Sequence, residues 1–501
     1  MSPYLAAIVG GLLMWAAFPP LGWGLLAFIA PAPLLWASRH VESGFGALGV
    51  GFLHGLAFFG PLLIWIATIG VVAWLPLTTV MAAWTALYAL LAWSFRHWPP
   101  ARWWIIVVAG WGAWEFLRAR FPLGGFPWGD VGYAASGNPG FIGATQWIGP
   151  SGWGLLAIGV AAGLVLVLES TENWRLLVDP LVVAFMLMLA GGLFPPSADG
   201  PTIQVAVVQG GSPCPGTHCQ DENRLIYESH LELTQQLQPD QVDLVVWPEN
   251  SMGTPFEPEE NLDVRAALEA EARRLDANLL VSGTRVVGQD QFLNINTFFG
   301  PNGGQIGVYA KRHPVPFGEF VPARSLFSFV PELERVPRDM IRGDEAVVFP
   351  TDEGILGSVI SFEGAFARYS RDEAEAGAQL LVVATNESSY GRGPASDQLI
   401  GMTRVNAAAI GQDVIHAAIT GKSAIIRANG DVVETTELLE VRNLLGDVSF
   451  RIASPTVYTR FGDWLLLVAV AAAVGAIALP GGRRREVPTP PATSVGTGVI
   501  H

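Results

Sequence analysis

The chain is 501 residues long, half of them hydrophobic, with 18 tryptophans and only 15% charged residues, which argues against a single small water-soluble domain. All but eight of its 44 acidic residues fall within 197–459, so the composition describes a membrane-embedded chain with one large, acidic, water-facing domain. A net charge of −15 argues against a nucleic-acid partner, which would require a basic face.

Apolar stretches of spanning length predict helices near 4–19, 21–38, 44–67, 71–95, 102–120, 149–169 and 174–195, with an eighth at 462–480. Pro19, Pro20 and Gly22 interrupt the first stretch, so the first two spans are expected as a tight hairpin. Met1 is followed by no basic region and the apolar series simply continues, so no cleavable signal peptide is evident. With eight spans, Arg39, Arg96, Arg102, Arg175 and the cluster Arg483–Arg485 share one side, and Arg118 and Arg120 share the other. The positive-inside rule makes the first side cytoplasmic, which puts both termini inside and the polar block outside. The Pro- and Thr-rich tail, 482–501, is expected to be disordered. Between the fifth and sixth spans, FPLGGFPWGDVGY at 121–133 is rich in Gly, Pro and aromatic residues. Such a segment suits the lipid–water boundary and contact with lipid or substrate, a plain connecting loop being the alternative.

The block at 197–459 alternates strands and helices. Ile203–Gln209 and Leu244–Trp247 are short, β-branched, buried-strand runs. Helical spacing follows at 220–238, 262–276, 364–376 and 396–411, and strands are expected at 279–283, 293–299, 305–310, 355–360, 380–385, 414–419 and 423–428. The reading is an α/β domain with mixed sheets and outer helices. Cys214 and Cys219, the only cysteines, sit in CPGTHC; outside the reducing cytosol a close pair reads as a disulfide. A metal site there would need more ligands than the intervening His218 supplies. No cofactor or metal is expected.

The residues suited to chemistry follow strands. The run Ile355–Ile360 delivers Ser361 to a turn, as an acyl-transfer enzyme exposes its attacking atom, with Glu363 two residues on. Glu249 lies just past LVVW, behind a stiff Trp-Pro pair, and Lys311 follows another strand with Glu319 eight residues later. Each alone reads as an ordinary charged loop residue. Together they offer a carboxylate to accept the nucleophile's proton and an ammonium to stabilise the developing oxyanion.

Taken with GGFPWG at 124–129, VVQG at 207–210, VVWPEN at 245–250, PFGEFVP at 316–322 and RFGDW at 460–464, the chain resembles the bacterial apolipoprotein N-acyltransferases, the membrane branch of the nitrilase superfamily. The resemblance covers nearly the whole chain. It implies a bundle of about eight spans at 1–196 and 460–481, an extracytoplasmic nitrilase-like αββα domain at 197–459, and residence in the bacterial cytoplasmic membrane. It also implies an acyl donor, a glycerophospholipid, and an acceptor, the N-terminal amine of a diacylglyceryl-cysteine lipoprotein. Carried over by motif, Glu249 is the general base, Lys311 the oxyanion-side cation, and Glu319 and Glu363 are supporting carboxylates. The loop bearing Cys214 and Cys219 would lie near the site.

The sequence departs from that family at its centre. Where the family has Cys-Tyr-Glu, this chain reads Ser361-Phe362-Glu363; Glu387 stands where relatives usually have Asp or Asn, and Asn406 where an Arg is common. A hydroxyl is much harder to ionise than a thiol of pKa about 8.5, and a loss of roughly 3–5 kcal/mol of barrier lowering is expected. Two readings follow: an acyltransferase slowed by Ser361, or a homologue that binds phospholipid or lipoprotein, or an active paralogue, without efficient chemistry.

Overall fold

The computed structural model describes residues 2–479 except 218 and 328; His218, the Arg483–Arg485 cluster and the tail at 482–501 lie outside the described residues. Seven helices come first: α1 (Pro3–Ala16), α2 (Ala32–His40), α3 (Gly44–Leu62), α4 (Val71–Ser94), α5 (Pro100–Arg118), α6 (Pro139–Glu169) and α7 (Trp174–Leu193). Their outer surfaces expose Phe45, Val72, Phe185 and Met186, the pattern of a lipid-facing surface. Among the described residues, four helical stretches are long and apolar enough to cross a membrane: Gly44–Leu62, Val71–Ser94, Pro139–Glu169 and Thr171–Leu193. Helix α5 is comparable in length but carries Arg102, Glu115 and Arg118.

Two expected spans take a different form. The stretch at 21–38 is not one helix: a 3₁₀ turn, Gly24–Phe28, precedes the nine-residue α2. Pro31 and Pro33 lack the N–H that a continuous helix would require there. Helix α6 begins at Pro139, ten residues before the expected start, and is kinked where Gly149 adopts φ +64° ahead of Pro150.

The next region is built from β1 (Thr202–Gln209), α8 (Glu222–Gln235), β2 (Leu244–Val246), α9 (Leu262–Leu275), β3 (Asn278–Val287), β4 (Gln291–Phe299), β5 (Gln305–Ala310), β6 (Asp339–Met340), β7 (Val348–Pro350) and β8 (Ile355–Ile360). A 3₁₀ turn at Ser361–Ala365 leads into α10 (Ala367–Glu375), β9 (Leu380–Thr385), α11 (Ala395–Ile410), β10 (Val414–Ala418), β11 (Ala424–Ile426), β12 (Val432–Thr435) and β13 (Arg442–Ser449). The short α12 (Val457–Phe461) and the apolar α13 (Trp464–Ala478) return to the bundle. One sheet has the order β13-β1-β2-β3-β4-β5, with β6 paired to β4; the other has the order β12-β11-β10-β9-β8-β7. Strands β1-β2-β3 and β8-β9-β10 run parallel. Parallel strands covered on both faces need continuous apolar runs, which is why LVV and LLVVAT are buried throughout.

The sheets face each other across a core including Val205, Leu280, Phe298, Ile360 and Val382. Helices α8 and α9 cover the first sheet through Leu233, Val264 and Leu268, and α11 covers the second through Ile400 and Ala407. The layers are therefore helix, sheet, sheet, helix. A further core joins this domain to the bundle, bringing Phe362, Phe366, Leu399 and Met402 together with Phe58, Leu62, Trp65 and Trp128.

Candidate active site

Chemistry-bearing side chains collect where β2, β5, β8 and β9 end. Beyond β2, Trp247 is clamped by its backbone N–H to the Leu280 carbonyl (2.8 Å) and by its indole N–H to Thr234 Oγ1 (2.9 Å). That fixes the exit of the strand and delivers Glu249 to a site where it is 3% exposed. Lys311 follows β5 directly, and its backbone N–H reaches the Asn294 carbonyl at 2.9 Å, extending the pairing with β4 by one residue. Its ammonium is 1% exposed and donates to Glu249 Oε1 at 3.1 Å and Glu319 Oε1 at 2.7 Å.

Asn294, in the middle of β4, donates through Nδ2 to both carboxylates, at 2.7 Å to Glu249 and 3.2 Å to Glu319. The remaining oxygens are held by backbone: Asn386 N–H to Glu249 Oε2 and Val315 N–H to Glu319 Oε2, each at 2.7 Å. Glu249 Oε1 thus accepts two hydrogen bonds and Oε2 one, so Oε2 keeps a lone pair for a proton. Lys311 spends two N–H bonds on carboxylates, and among the described residues no acceptor takes its third.

Burial pushes the Glu249 carboxyl above its ordinary range; the Lys311 charge opposes the rise and the Glu319 charge adds to it. Burial alone would lower the Lys311 ammonium, but the Glu249 and Glu319 carboxylates outweigh it and hold its pKa above that of a free lysine. The cation therefore stays charged, while the carboxylate is a better proton acceptor than an exposed one.

Ser361 follows β8 at a sharp turn, with φ +57°. A left-handed serine is strained and persists only where its surroundings hold it. Strands β8 and β9 pair Ile360 with Ala384, so Ser361 stands beside Thr385, one residue before the Asn386 amide that grips Glu249. Glu363 anchors the turn from the other side. Its Oε1 accepts from the backbone N–H groups of Arg312 (2.6 Å) and His313 (2.9 Å), the two residues after Lys311. Its Oε2 accepts from Tyr309 OH (2.7 Å) and Ile360 N–H (2.8 Å). Burial pushes the Glu363 carboxyl up, and the Ile360 and Tyr309 donors pull against it. Arg312 backs the arrangement, with Nε on Tyr309 OH (3.2 Å) and its other nitrogens on Asp372 and Glu373.

The five residues singled out by sequence thus divide. Glu249, Lys311 and Glu319 form one contact group, Ser361 stands at the end of β8 in the facing sheet, and Glu363 ties the serine's turn to the lysine's strand. Sequence reasoning passed over Asn294, Asn386, Tyr309 and Arg312. Only Asn294 left a signal: FLNINTFF places two asparagines on the strand face that also carries Phe292 and Phe298.

The segment at 121–133 reaches this site from the bundle. Arg118 gathers it, donating to the carbonyls of Phe126 (3.0 Å) and Trp128 (2.8 Å) and pairing with Asp130. The Phe126 and Trp128 rings lie 5.5 and 6.3 Å from that of Phe362, the residue after Ser361. Gly124 has φ +94°, and a Cβ there would meet His313 Cε1 at 2.5 Å, so only glycine permits this approach. Phe121 and Leu123 are exposed, while Trp128 is buried and its indole donates to Gln398 Oε1 at 2.7 Å. Cys214 and Cys219 form a disulfide. The loop it closes approaches the end of β9: a Cβ on Gly216 would lie 3.7 Å from the Ser388 carbonyl oxygen.

An αββα sandwich with a Glu-Lys pair beside a strained strand-end turn defines a nitrilase-like domain, and the Carbon-nitrogen hydrolase family matches residues 204–444. Residues 10–163 match the Apolipoprotein N-acyltransferase N-terminal domain. The chain is 31% identical to the apolipoprotein N-acyltransferase of Geobacter metallireducens, over 97% of this chain and 96% of that one. It is 28% identical to that of Gloeobacter violaceus (96% and 95% covered) and 29% identical to that of Mycolicibacterium smegmatis (95% and 84%). The chain belongs to the apolipoprotein N-acyltransferase family and is a membrane protein.

Proposed function

We propose that this chain N-acylates lipoproteins, moving an acyl chain from a glycerophospholipid to the amine of an N-terminal diacylglyceryl-cysteine, with Ser361 carrying the chain between them. The observation that supports this most is the Glu249–Lys311–Glu319 group, with Glu249 and Lys311 buried, tied through Glu363 to the turn of the left-handed Ser361. In the first half-reaction Ser361 Oγ bonds to the ester carbonyl carbon as its proton passes to Glu249 Oε2. The third N–H of Lys311 meets the oxyanion. The bond to the glycerol oxygen then breaks, that oxygen takes the proton from Glu249, and a lysophospholipid leaves. In the second half the amine attacks the acyl-serine, Glu249 takes the amine proton, and Ser361 departs and is reprotonated as the amide forms.

Serine slows the first half, because Glu249 must remove a proton held more tightly than a thiol's, and an oxyester is a poorer donor to an amine than a thioester. Glu319 holds Lys311 and Glu363 holds the turn. The domain at 197–459 faces the extracytoplasmic side of the bacterial cytoplasmic membrane, between spans in 1–196 and 460–481, with both termini cytoplasmic. The arginine distribution and the Cys214–Cys219 disulfide support that orientation.

The serine itself favours a second reading, in which the chain binds phospholipid or lipoprotein without turnover. Purified protein incubated with phospholipid and a diacylated lipopeptide, followed by mass spectrometry, separates the two. Triacylated product that is lost in Ser361→Ala and enhanced in Ser361→Cys supports the acyltransferase; bound lipopeptide with no product supports the binder.

A further inference from the structure

The turn bearing Ser361 is also held on the side away from Lys311, and one of the residues that grip it belongs to the membrane bundle. Asn406, buried on α11, donates from Nδ2 to the Gly364 carbonyl at 2.9 Å. Tyr133, buried in the 3₁₀ segment between α5 and α6, donates its hydroxyl proton to the Ala365 carbonyl at 2.9 Å. The Tyr133 hydroxyl oxygen accepts the Ala367 N–H at 3.2 Å, and Asn406 Oδ1 lies 3.2 Å from that hydroxyl. A phenol carries a single proton, so the shorter contact takes it and the amide oxygen shares it weakly. Two consecutive carbonyls and the first N–H of α10 are thereby fixed by one tyrosine and one asparagine.

These bonds act on backbone that has an unfavourable conformation to maintain. Ser361 is left-handed, and a 3₁₀ turn of five residues supplies little hydrogen bonding of its own. Glu363 fixes the start of the turn through the Ile360 N–H; nothing in its four bonds fixes the carbonyls at 364 and 365. Tyr133 is in turn seated by the bundle, since the neighbouring Val131 N–H binds Glu115 Oε1 at 2.7 Å on α5. We infer that Tyr133 and Asn406 are positioning residues for the nucleophile, and that seating the α/β domain on the bundle sets the reactivity of Ser361. This rests on Ser361 being the nucleophile, and it goes beyond the acyltransferase reading in making a residue outside the α/β domain part of its geometry.

The test uses the full-length protein in detergent with Ser361→Cys, whose thiol is the one free thiol because both native cysteines are in the disulfide. The rate of alkylation by iodoacetamide is followed against pH with and without Tyr133→Phe or Asn406→Ala. Tyr88→Phe is the control: it also removes a buried hydroxyl's bond in the bundle, to the Val107 carbonyl at 3.1 Å. About a ten-fold fall in alkylation rate at the pH plateau is expected for Tyr133→Phe and for Asn406→Ala, with the double variant falling less than the product of the two. Tyr88→Phe should leave that rate within two-fold while lowering the melting temperature comparably. In the Ser361 protein, Tyr133→Phe should lower kcat with the lipopeptide KM within about two-fold. Equal alkylation rates with and without Tyr133→Phe, or a fall matched by Tyr88→Phe, would overturn the inference. If Tyr133→Phe does not fold, Asn406→Ala is read in its place. Alkylation requires neither lipid nor lipopeptide, so a failure of the acyltransferase reading would show in the product assay and not here.

Discussion

Glu249 and Glu319 on one hand and Glu363 on the other bind consecutive residues, Lys311 and Arg312, and serve opposite ends. Around Lys311, Glu249 and Glu319 share one cation, and Glu249 keeps a lone pair unused. Around Ser361, Glu363 accepts four hydrogen bonds, three of them from backbone, and has nothing left to offer. The difference separates a carboxylate with room for a proton from one without more sharply than pKa does, since burial pushes both upward. A carboxylate with spare acceptor capacity beside a charged amine can move protons. One whose capacity is exhausted by backbone fixes a turn.

That contrast breaks first at Glu249. Glu249→Gln removes the proposed base, and lipopeptide acylation should fall about 10³- to 10⁴-fold, toward the upper range for a general base, with a smaller loss of melting temperature than Glu363→Ala because the amide oxygen still accepts from Lys311 and Asn294. Lys311→Met should cost about 10²- to 10³-fold, as for an oxyanion donor. Glu363→Ala should behave differently. It strands four donors, so rate and thermal stability should fall together, the stability by several kcal/mol at about 1 kcal/mol or more for each stranded donor.

A smaller effect sharpens the Lys311 side. As the proposed base, Glu249 acts ionised, so activity should rise with pH through its raised pKa, and the Glu319 charge contributes to that raised value. Glu319→Gln should therefore move the acid limb of kcat/KM to lower pH, with about a ten-fold lower plateau; a limb that stays put would contradict the assignment. The smallest effect lies behind Glu363. Burial pushes the Glu373 carboxyl up to about 9, against the pull of Arg312. Between an unfolded value near 4.3 and that folded value, the native state binds the proton that the unfolded chain lacks, so stability falls as pH rises. Glu373→Gln should flatten the decline in melting temperature between pH 6 and 9.

The Glu249–Lys311 contact was readable in the sequence because both residues, like Ser361, follow an apolar strand, and strand ends bring distant residues to one edge. The layering was readable because apolar runs such as Leu380–Ala384 demand cover on both faces. Asn386 and Ile360 were not readable as partners, because they act through backbone N–H groups that every residue has. Arg312 and Tyr309 look like ordinary strand-end residues until Glu363 is placed between them. The composition at 121–133 showed an unusual segment but not its partner: Trp128 and Tyr133 are committed to the α/β domain, and within the segment only the tip at 121–123 is exposed. In the bundle, hydropathy read 21–38 as one span because averaging over a window hides Pro31 and Pro33.

The central claim is that Ser361 bears the acyl chain. Incubating the protein with phospholipid alone, quenching in acid and mapping peptides by mass spectrometry tests it directly. The expected result is one acyl chain on the peptide containing Ser361, discharged when the lipopeptide amine is added and absent in Ser361→Ala. Triacylated product formed with no adduct on that peptide, or with an adduct on another residue, would contradict it.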